Sequence, residues 1–538
     1  MAEAVVKQKD IQQETKKLKR ELTLLPLFGL IYFTVCGGSF GVEPLVGYSG
    51  PGLTLVLFLI TPLLFSIPNM LMVREMNSMM PGEGGYYHWI KQAFGRFPAF
   101  MAGWMNWVVA WVDVSIYPVL AAYYLGFFIP ALRNGATIGG VDVPAWVLSW
   151  IVALVLIWGI SYLNLRGARL AGLVTNWLGV IMMLPLVAMS IVGVYNWIKG
   201  GTTAQLPFMP EGQDLTGALS TGLFIVMWNF MGWELPTAAG DEIVNPKRTY
   251  PLAMVLVLIA TIATYAIPTV AGLYGGAGED GRYLVWGQEE AEEGAGIGPV
   301  MADQGVDEAT LNSWGVDPTS SVGWEFPDIA HAVGTKATGD PNSPLARILG
   351  LSVTLAAVLS MIGLFIGNGL GGTRVPFAMA EDGMMPTFLV KVHPIFGTPW
   401  VAIILCGVIF SIFSLQAFSF LVVVDVFLNM LVLLAEFLAL WALRFKRPDL
   451  ERKKVPGGYL GLTLVTLAPA FIIGLAIYSQ VTEEGLNSIW LALAAMVIGA
   501  ILYFPILKLV KPGVPDVDPF KSGDAEEAEA APVAMAAD

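Results

Sequence analysis

Five carboxylates stand inside otherwise apolar, nearly uncharged runs of this sequence: Glu43, Asp113, Glu234, Asp425 and Glu436. No Lys or Arg shares the middle of those runs. An acid at the centre of a bilayer costs about 2.5–3.5 kcal/mol on insertion scales, so it is expected to face a cavity or a partner. An acidic interior without basic partners suits a cationic substrate, a proton, or both. Each acid has two competing readings. Glu43 and Glu234 follow glycine breaks, and are either functional or caps of the half-helix that follows. Asp113 has Tyr117 one turn further on, and either lines a cavity or makes a structural hydrogen bond. Asp425 sits in the outer third of its run, where a gate or entry role competes with a structural one. Glu436 lies nearer the inner end of its run, where pairing with Arg444 gives it a structural reading.

Two of the runs are interrupted. One contains Gly37-Gly38-Ser39-Phe40-Gly41-Val42-Glu43-Pro44, the other Asn229-Phe230-Met231-Gly232-Trp233-Glu234-Leu235-Pro236. Both carry Gly-x-Glu with a Pro one or two residues later. Glycine lets the chain leave helical geometry at low cost. The freed N–H groups attract an anion such as a substrate carboxylate, and the freed carbonyls accept from an ammonium group. Trp228, Phe230 and Trp233 surround the second break, and aromatic faces attract ammonium groups. Glycines that merely permit close helix packing are the alternative. Two breaks at matched positions favour interrupted helices, which mark the binding site of inverted-repeat transporters.

The surrounding chain must be a membrane protein. Apolar types make up 56% of its 538 residues and charged types 13%, against about 45–50% and about 25% in soluble domains. A soluble enzyme is thereby excluded, and the net charge of −13 argues against nucleic acid. A crossing helix needs about 20 apolar residues. Twelve stretches qualify: 22–42, 52–73, 97–132, 143–165, 170–198, 215–233, 249–278, 348–373, 394–413, 418–443, 455–482 and 485–507, the ninth and tenth being divided at Ser414–Ala417. They are numbered here as spans 1 to 12.

Lys and Arg gather at the N-terminus and in alternate connections, which predicts cytoplasmic termini; the expected location is the plasma membrane. The expected organisation is a cytoplasmic segment 1–20, a first five-helix repeat 21–198, a second repeat 199–443, two further helices over 444–511, and a disordered acidic tail 512–538. No signal peptide is expected, because the charged lead is long and the first span full length. The connection 276–344 carries 13 Asp/Glu against 2 Lys/Arg and reads as an external, solvated acidic face. The two cysteines, Cys36 and Cys406, lie in apolar runs and form no disulfide framework. His88, His331 and His393 are expected in loops, so no metal cluster is expected. No residues assemble a membrane-enzyme or ATP-driven reading.

Several blocks resemble the amino acid–polyamine–organocation (APC) superfamily over residues 20–510. They are Trp228-Asn229-Phe230-Met231-Gly232-Trp233-Glu234, Asn245-Pro246-Lys247-Arg248-Thr249-Tyr250-Pro251, the stretch Arg374 to Pro386 with Ala380-Glu381-Asp382-Gly383, and Gly397-Thr398-Pro399. Gly37 to Glu43, Gly103-Trp104-Met105-Asn106-Trp107, Asp113 with Tyr117-Pro118, and Asn164-Leu165-Arg166-Gly167 are most similar to the proton-coupled polyamine transporters of plants and protozoa. The resemblance implies an all-α, LeuT-like fold of five-plus-five inverted repeats, with spans 1 and 6 broken and two helices added. It implies one substrate site between spans 1, 3, 6, 8 and 10. Trp228 becomes the gating aromatic and Glu234 a proximal-gate or proton-linked acid, while Asn229, Glu43 and Asp113 line or support an amine pocket.

The candidate substrate site thus comprises Gly37, Gly38, Ser39, Phe40, Gly41, Glu43, Asp113, Tyr117, Trp228, Asn229, Phe230, Gly232, Trp233 and Glu234. Proton coupling is assigned to Glu234, Asp113 and Glu43. Span 6 mixes a polyamine-type Trp-Asn with the Gly-x-Glu of amino acid carriers, and span 10 places Asn429 where polyamine carriers often have Tyr. The expected function is therefore proton-coupled symport of amino acids or polyamines by alternating access. An exchanger, or a non-transporting receptor on the same fold, is the alternative. No cofactor beyond the proton gradient is expected. Sodium, held by carbonyls and hydroxyls such as those near Ser360, stays open, as does monomer against homodimer.

Overall fold

The computed structural model describes residues 23–80, 85–166, 168–200, 206–233, 246–290, 292, 294–381, 383–450, 452–486 and 489–509. The expected N-terminal segment, the acidic tail and Glu234 lie outside the described residues. Each expected span has a helical counterpart. Among the described residues, eight helices are long and apolar enough to cross a membrane: Pro51–Met79, Arg96–Leu125, Ala145–Leu165, Ile181–Gly200, Arg248–Ala277, Pro344–Phe377, Phe418–Lys446 and Gly458–Glu484. Three shorter apolar helices, Leu215–Asn229, Trp400–Phe413 and Trp490–Ile506, supply spans 6, 9 and 12. Span 1 is the interrupted pair Leu24–Val35 and Glu43–Ser49. The uncharged run around Ser414 divides where expected, one helix ending at Phe413 and the next starting at Phe418.

Span 3 is the axis of the bundle. Its apolar window is 72% buried, against 22% for span 4, so span 3 is enclosed by protein and span 4 is turned toward lipid. Spans 8 and 10 pack along span 3, and span 6 packs against spans 10 and 11 and the second half of span 1. These are the spans that carry the candidate residues.

Three expectations need correction. The acidic connection is not simply a solvated face. It folds into a cap with helices Gly298–Asp303, Glu308–Trp314 and Phe326–Thr338. Trp286, Phe326 and Ile329 form its fully buried centre, and Glu289 and Glu325 are buried as well. Its acids were counted by charge, but the aromatic and aliphatic residues between them drive it onto the bundle. Arg444 does not await Glu436. It forks onto Glu75, Nε to Oε1 at 2.8 Å and Nη2 to Oε2 at 2.5 Å, because the span 2 helix runs on past Val73 to Met79. Finally, His88 and His331 lie on helices, Gly85–Phe94 and Phe326–Thr338, rather than in loops. Among the described residues no His/Cys/Asp/Glu cluster is arranged to hold a metal ion.

Candidate functional site

The two breaks meet each other. Span 1 leaves helical geometry between Cys36 and Val42, with Gly38 at φ 100° and Gly41 at φ 80°. Only glycine enters that left-handed region cheaply; another residue pays roughly 1–2 kcal/mol. Span 6 stops at Asn229, and Gly232 follows at φ 92°. The contact explains why the breaks need glycine. A Cβ on Gly41 would stand 2.9 Å from the Trp228 ring, and one on Gly232 would stand 3.0 Å from the Thr34 carbonyl. The Asn229 amide ties the breaks together, Nδ2 donating to Gly41 O at 3.2 Å and to Ile225 O at 2.9 Å. Tyr265 Oη donates to Asn229 O at 2.8 Å.

Asp113 lies beside this junction. Tyr117, one helical turn on, places its hydroxyl 2.8 Å from both Asp113 oxygens, and Trp228 Nε1 donates to Oδ1 at 3.3 Å. Asn368 of span 8 donates its Nδ2 to Tyr117 Oη at 2.7 Å, leaving the phenol proton free to point at the carboxylate. The Tyr117 and Trp228 rings are 6.5 Å apart, and Trp228 meets Phe418 of span 10 edge-on at 5.7 Å. Asp113, Trp228 and Asn368 are half-buried although they sit in the middle of the bundle, which puts them on an internal space. Among the described residues no cation reaches Asp113. The arrangement offers a carboxylate, with ring faces beside it, to an ammonium group.

The other candidates divide. Gly37 gives its carbonyl to the Ser360 hydroxyl, joining the break to span 8. Ser39 is fully buried, with an unpartnered Oγ. Phe40 turns away from Asp113 and packs edge-on against Tyr124 and the cap's Phe326, at 5.4 and 6.2 Å. Gly41 N–H donates to Tyr124 Oη at 2.8 Å. Glu43 opens the second half of span 1 and accepts from the Phe326 N–H of the cap at 3.1 Å. Phe230 packs on Tyr265, and Trp233 folds back, Nε1 donating to Phe230 O at 2.8 Å. Both are fully buried. Of the three aromatics at the second break, Trp228 alone meets Asp113.

The cap closes over this region. Besides its bond to Glu43, it places Glu289 against the first turn of span 10, where Ser419 N and Oγ lie 3.3 and 3.4 Å from the Glu289 carboxylate. Burial pushes Glu289 up to about 7. Glu325 is raised well above the usual carboxylate range, by burial first and then by the neighbouring Glu43. Sequence reading missed Asn368, Tyr124 and Glu289. Asn368 was legible as the lone amide in the apolar run of span 8; Tyr124 and Glu289 gain their meaning only from the docked cap.

Comparison with known proteins fits this geometry. Residues 22–281 and 334–503 match the profile described as amino acid permease, and the chain belongs to that family. The unmatched stretch 282–333 builds most of the cap. The Polyamine transporter RMV1 of Arabidopsis thaliana is 29% identical over 493 residues, covering 91% of this chain and 86% of that protein. The Branched-chain amino acid permease BcaP of Bacillus subtilis is 26% identical, covering 91% and 93%. The crystal structure of MhsT in complex with L-phenylalanine superposes with a TM-score of 0.52 at 14% identity, covering 84% of this chain and 98% of that one. That likeness establishes the LeuT-like fold.

Proposed function

We propose that this protein is a secondary active carrier of organic amines, amino acids or polyamines, driven by the proton gradient across the plasma membrane. The observation that carries the reading is Asp113. It is a carboxylate on an internal space, oriented by Tyr117 and Trp228, beside two glycine-dependent breaks and, among the described residues, without a cation partner. A substrate ammonium supplies that cation. The Trp228 ring gives it a face to slide against. Rocking of the repeat 21–198 against the repeat 199–443 exposes the site alternately to the two sides, with both termini cytoplasmic and the cap outside. The names of the similar proteins, polyamine transporters and an amino acid permease, support the choice of amines.

Glu234, on the far side of the second break, is the proton-linked acid in this reading. Uptake of labelled amines into proteoliposomes under an imposed pH gradient tests it. The native chain is expected to accumulate amine only with the gradient, and Glu234→Gln is expected to lose the pH dependence. Full, still pH-coupled uptake by that variant removes Glu234 from the role. Uptake that needs internal amine and ignores the gradient identifies an exchanger.

A further inference from the structure

Asp425 of span 10 has no place in the site described above. It is 1% exposed, and neither carboxylate oxygen has a hydrogen-bond partner. A buried charge without a partner costs several kcal/mol, so such groups are normally paired. Among the described residues nothing pairs it. Its position on the helix shows where a partner would lie. Phe418 and Asp425 are seven residues apart on Phe418–Lys446, two turns and about 10 Å along one face. Phe418 is the residue that meets Trp228. Asn429, one turn beyond Asp425, is half-buried and makes no hydrogen bond among the described residues. The face Phe418–Asp425–Asn429 is therefore turned toward spans 3 and 6, where Phe418 meets Trp228. Tyr117 holds Asp113 at 2.8 Å, and Asp425 lies close enough to Asp113 for their charges to interact.

We propose that Asp425 is the second ammonium anchor of the site, which takes a dication, with one amine on Asp113 and the other on Asp425. This inference rests on the amine-carrier reading. Two like charges within interaction range repel each other, and a linear diamine removes both penalties at once. Its methylenes would lie along the rings of Tyr117, Trp228 and Phe418. A zwitterion fits less well. The Gly41 N–H, which a substrate carboxylate would use, is already donated to Tyr124, and the Glu43 carboxylate occupies the start of the second half of span 1.

The test is titration calorimetry of the purified full chain in lipid nanodiscs with diaminobutane, butylamine and ornithine. The native protein is expected to bind diaminobutane at least about tenfold more tightly than butylamine, as a second charge-assisted contact provides. Asp425→Asn is expected to bring that ratio to about one while leaving butylamine affinity within about twofold. An unchanged ratio in Asp425→Asn overturns the second anchor and leaves the amine reading standing. Should the native chain bind neither amine, the amine reading itself falls. If the variant does not fold, the native chain is titrated with the series from diaminopropane to diaminooctane. An optimum at one length supports two fixed anchors, and no advantage over monoamines at any length overturns them.

Discussion

Glu75 on one hand, and Asp113 and Asp425 on the other, show what an acid's burial alone does not reveal. Glu75 of span 2 is fully enclosed and fully answered. Arg444 forks onto both its oxygens, and Val455 N–H adds a bond at 2.6 Å. Asp113 and Asp425 are also set among apolar helices, yet among the described residues no cation reaches either. Glu75 joins span 2, span 10 and the connection that follows, so its chemistry is spent on holding helices in place. The charge of Asp113 is held in position by a phenol and an indole and left open on one side. Both are carboxylates held among packed helices; what separates a fastener from a binding group is whether the protein provides the counter-charge.

Breaking the fastener should have the largest effect. Arg444→Leu leaves a buried, uncompensated carboxylate and is expected to cost about 3–5 kcal/mol. The readout is thermal unfolding in detergent, with size-exclusion chromatography to report aggregation. Replacing both partners, Glu75→Leu with Arg444→Leu, is expected to recover most of that loss, since paired removal leaves no orphan charge. A single variant as stable as the native chain would show that the fork contributes nothing. The open acid should behave in the opposite way. Asp113→Asn is expected to unfold at or above the native temperature, because a substrate-directed charge is removed, while amine uptake falls about tenfold to a hundredfold. Matched losses of stability and uptake would make Asp113 a second fastener.

The same contrast explains what was legible in the sequence. The spans, their dividing points and the two glycine breaks follow from apolar run length and local backbone chemistry, and the helices fall where those rules put them. Asp113, Tyr117 and Trp228 were legible because acids and aromatics at mid-span have few structural uses. Partner choice was not legible. Glu436 shares a helix with Arg444 but stands eight residues, about 12 Å, away along it, and the partner Arg444 takes, Glu75, is 369 residues away in sequence. The cap was misread for a similar reason. Its charge count describes the surface, whereas its fold depends on Trp286, Phe326 and Ile329 finding a helical bundle to cover. Phe230 and Trp233 had the composition of pocket residues but were drawn into packing beside Tyr265 and the break itself.

The smallest expected effect concerns an acid that belongs to neither class. Glu289 is buried at the join between cap and span 10, and its partners there, Ser419 N–H and hydroxyl, are neutral. Glu290 and Glu325 of the cap, Tyr48 of span 1 and Tyr123 of span 3 face it electrostatically. Docking therefore raises its pKa from 4.5 to about 7, because burial outweighs the serine bonds that favour the carboxylate. The docked cap then binds a proton that a cap opened into water would release. Its contribution to docking is fully present below about pH 4.5 and is lost as pH rises through about 7, with an upper bound of about 3 kcal/mol. Hydrogen exchange of residues 286–326, corrected for intrinsic rates, is expected to show greater protection at about pH 5 than at about pH 8. Glu289→Gln should flatten that difference while keeping the cap docked, since an amide cannot ionise at the join. Equal protection at both pH values in the native chain would show that docking of the cap does not depend on the proton of Glu289.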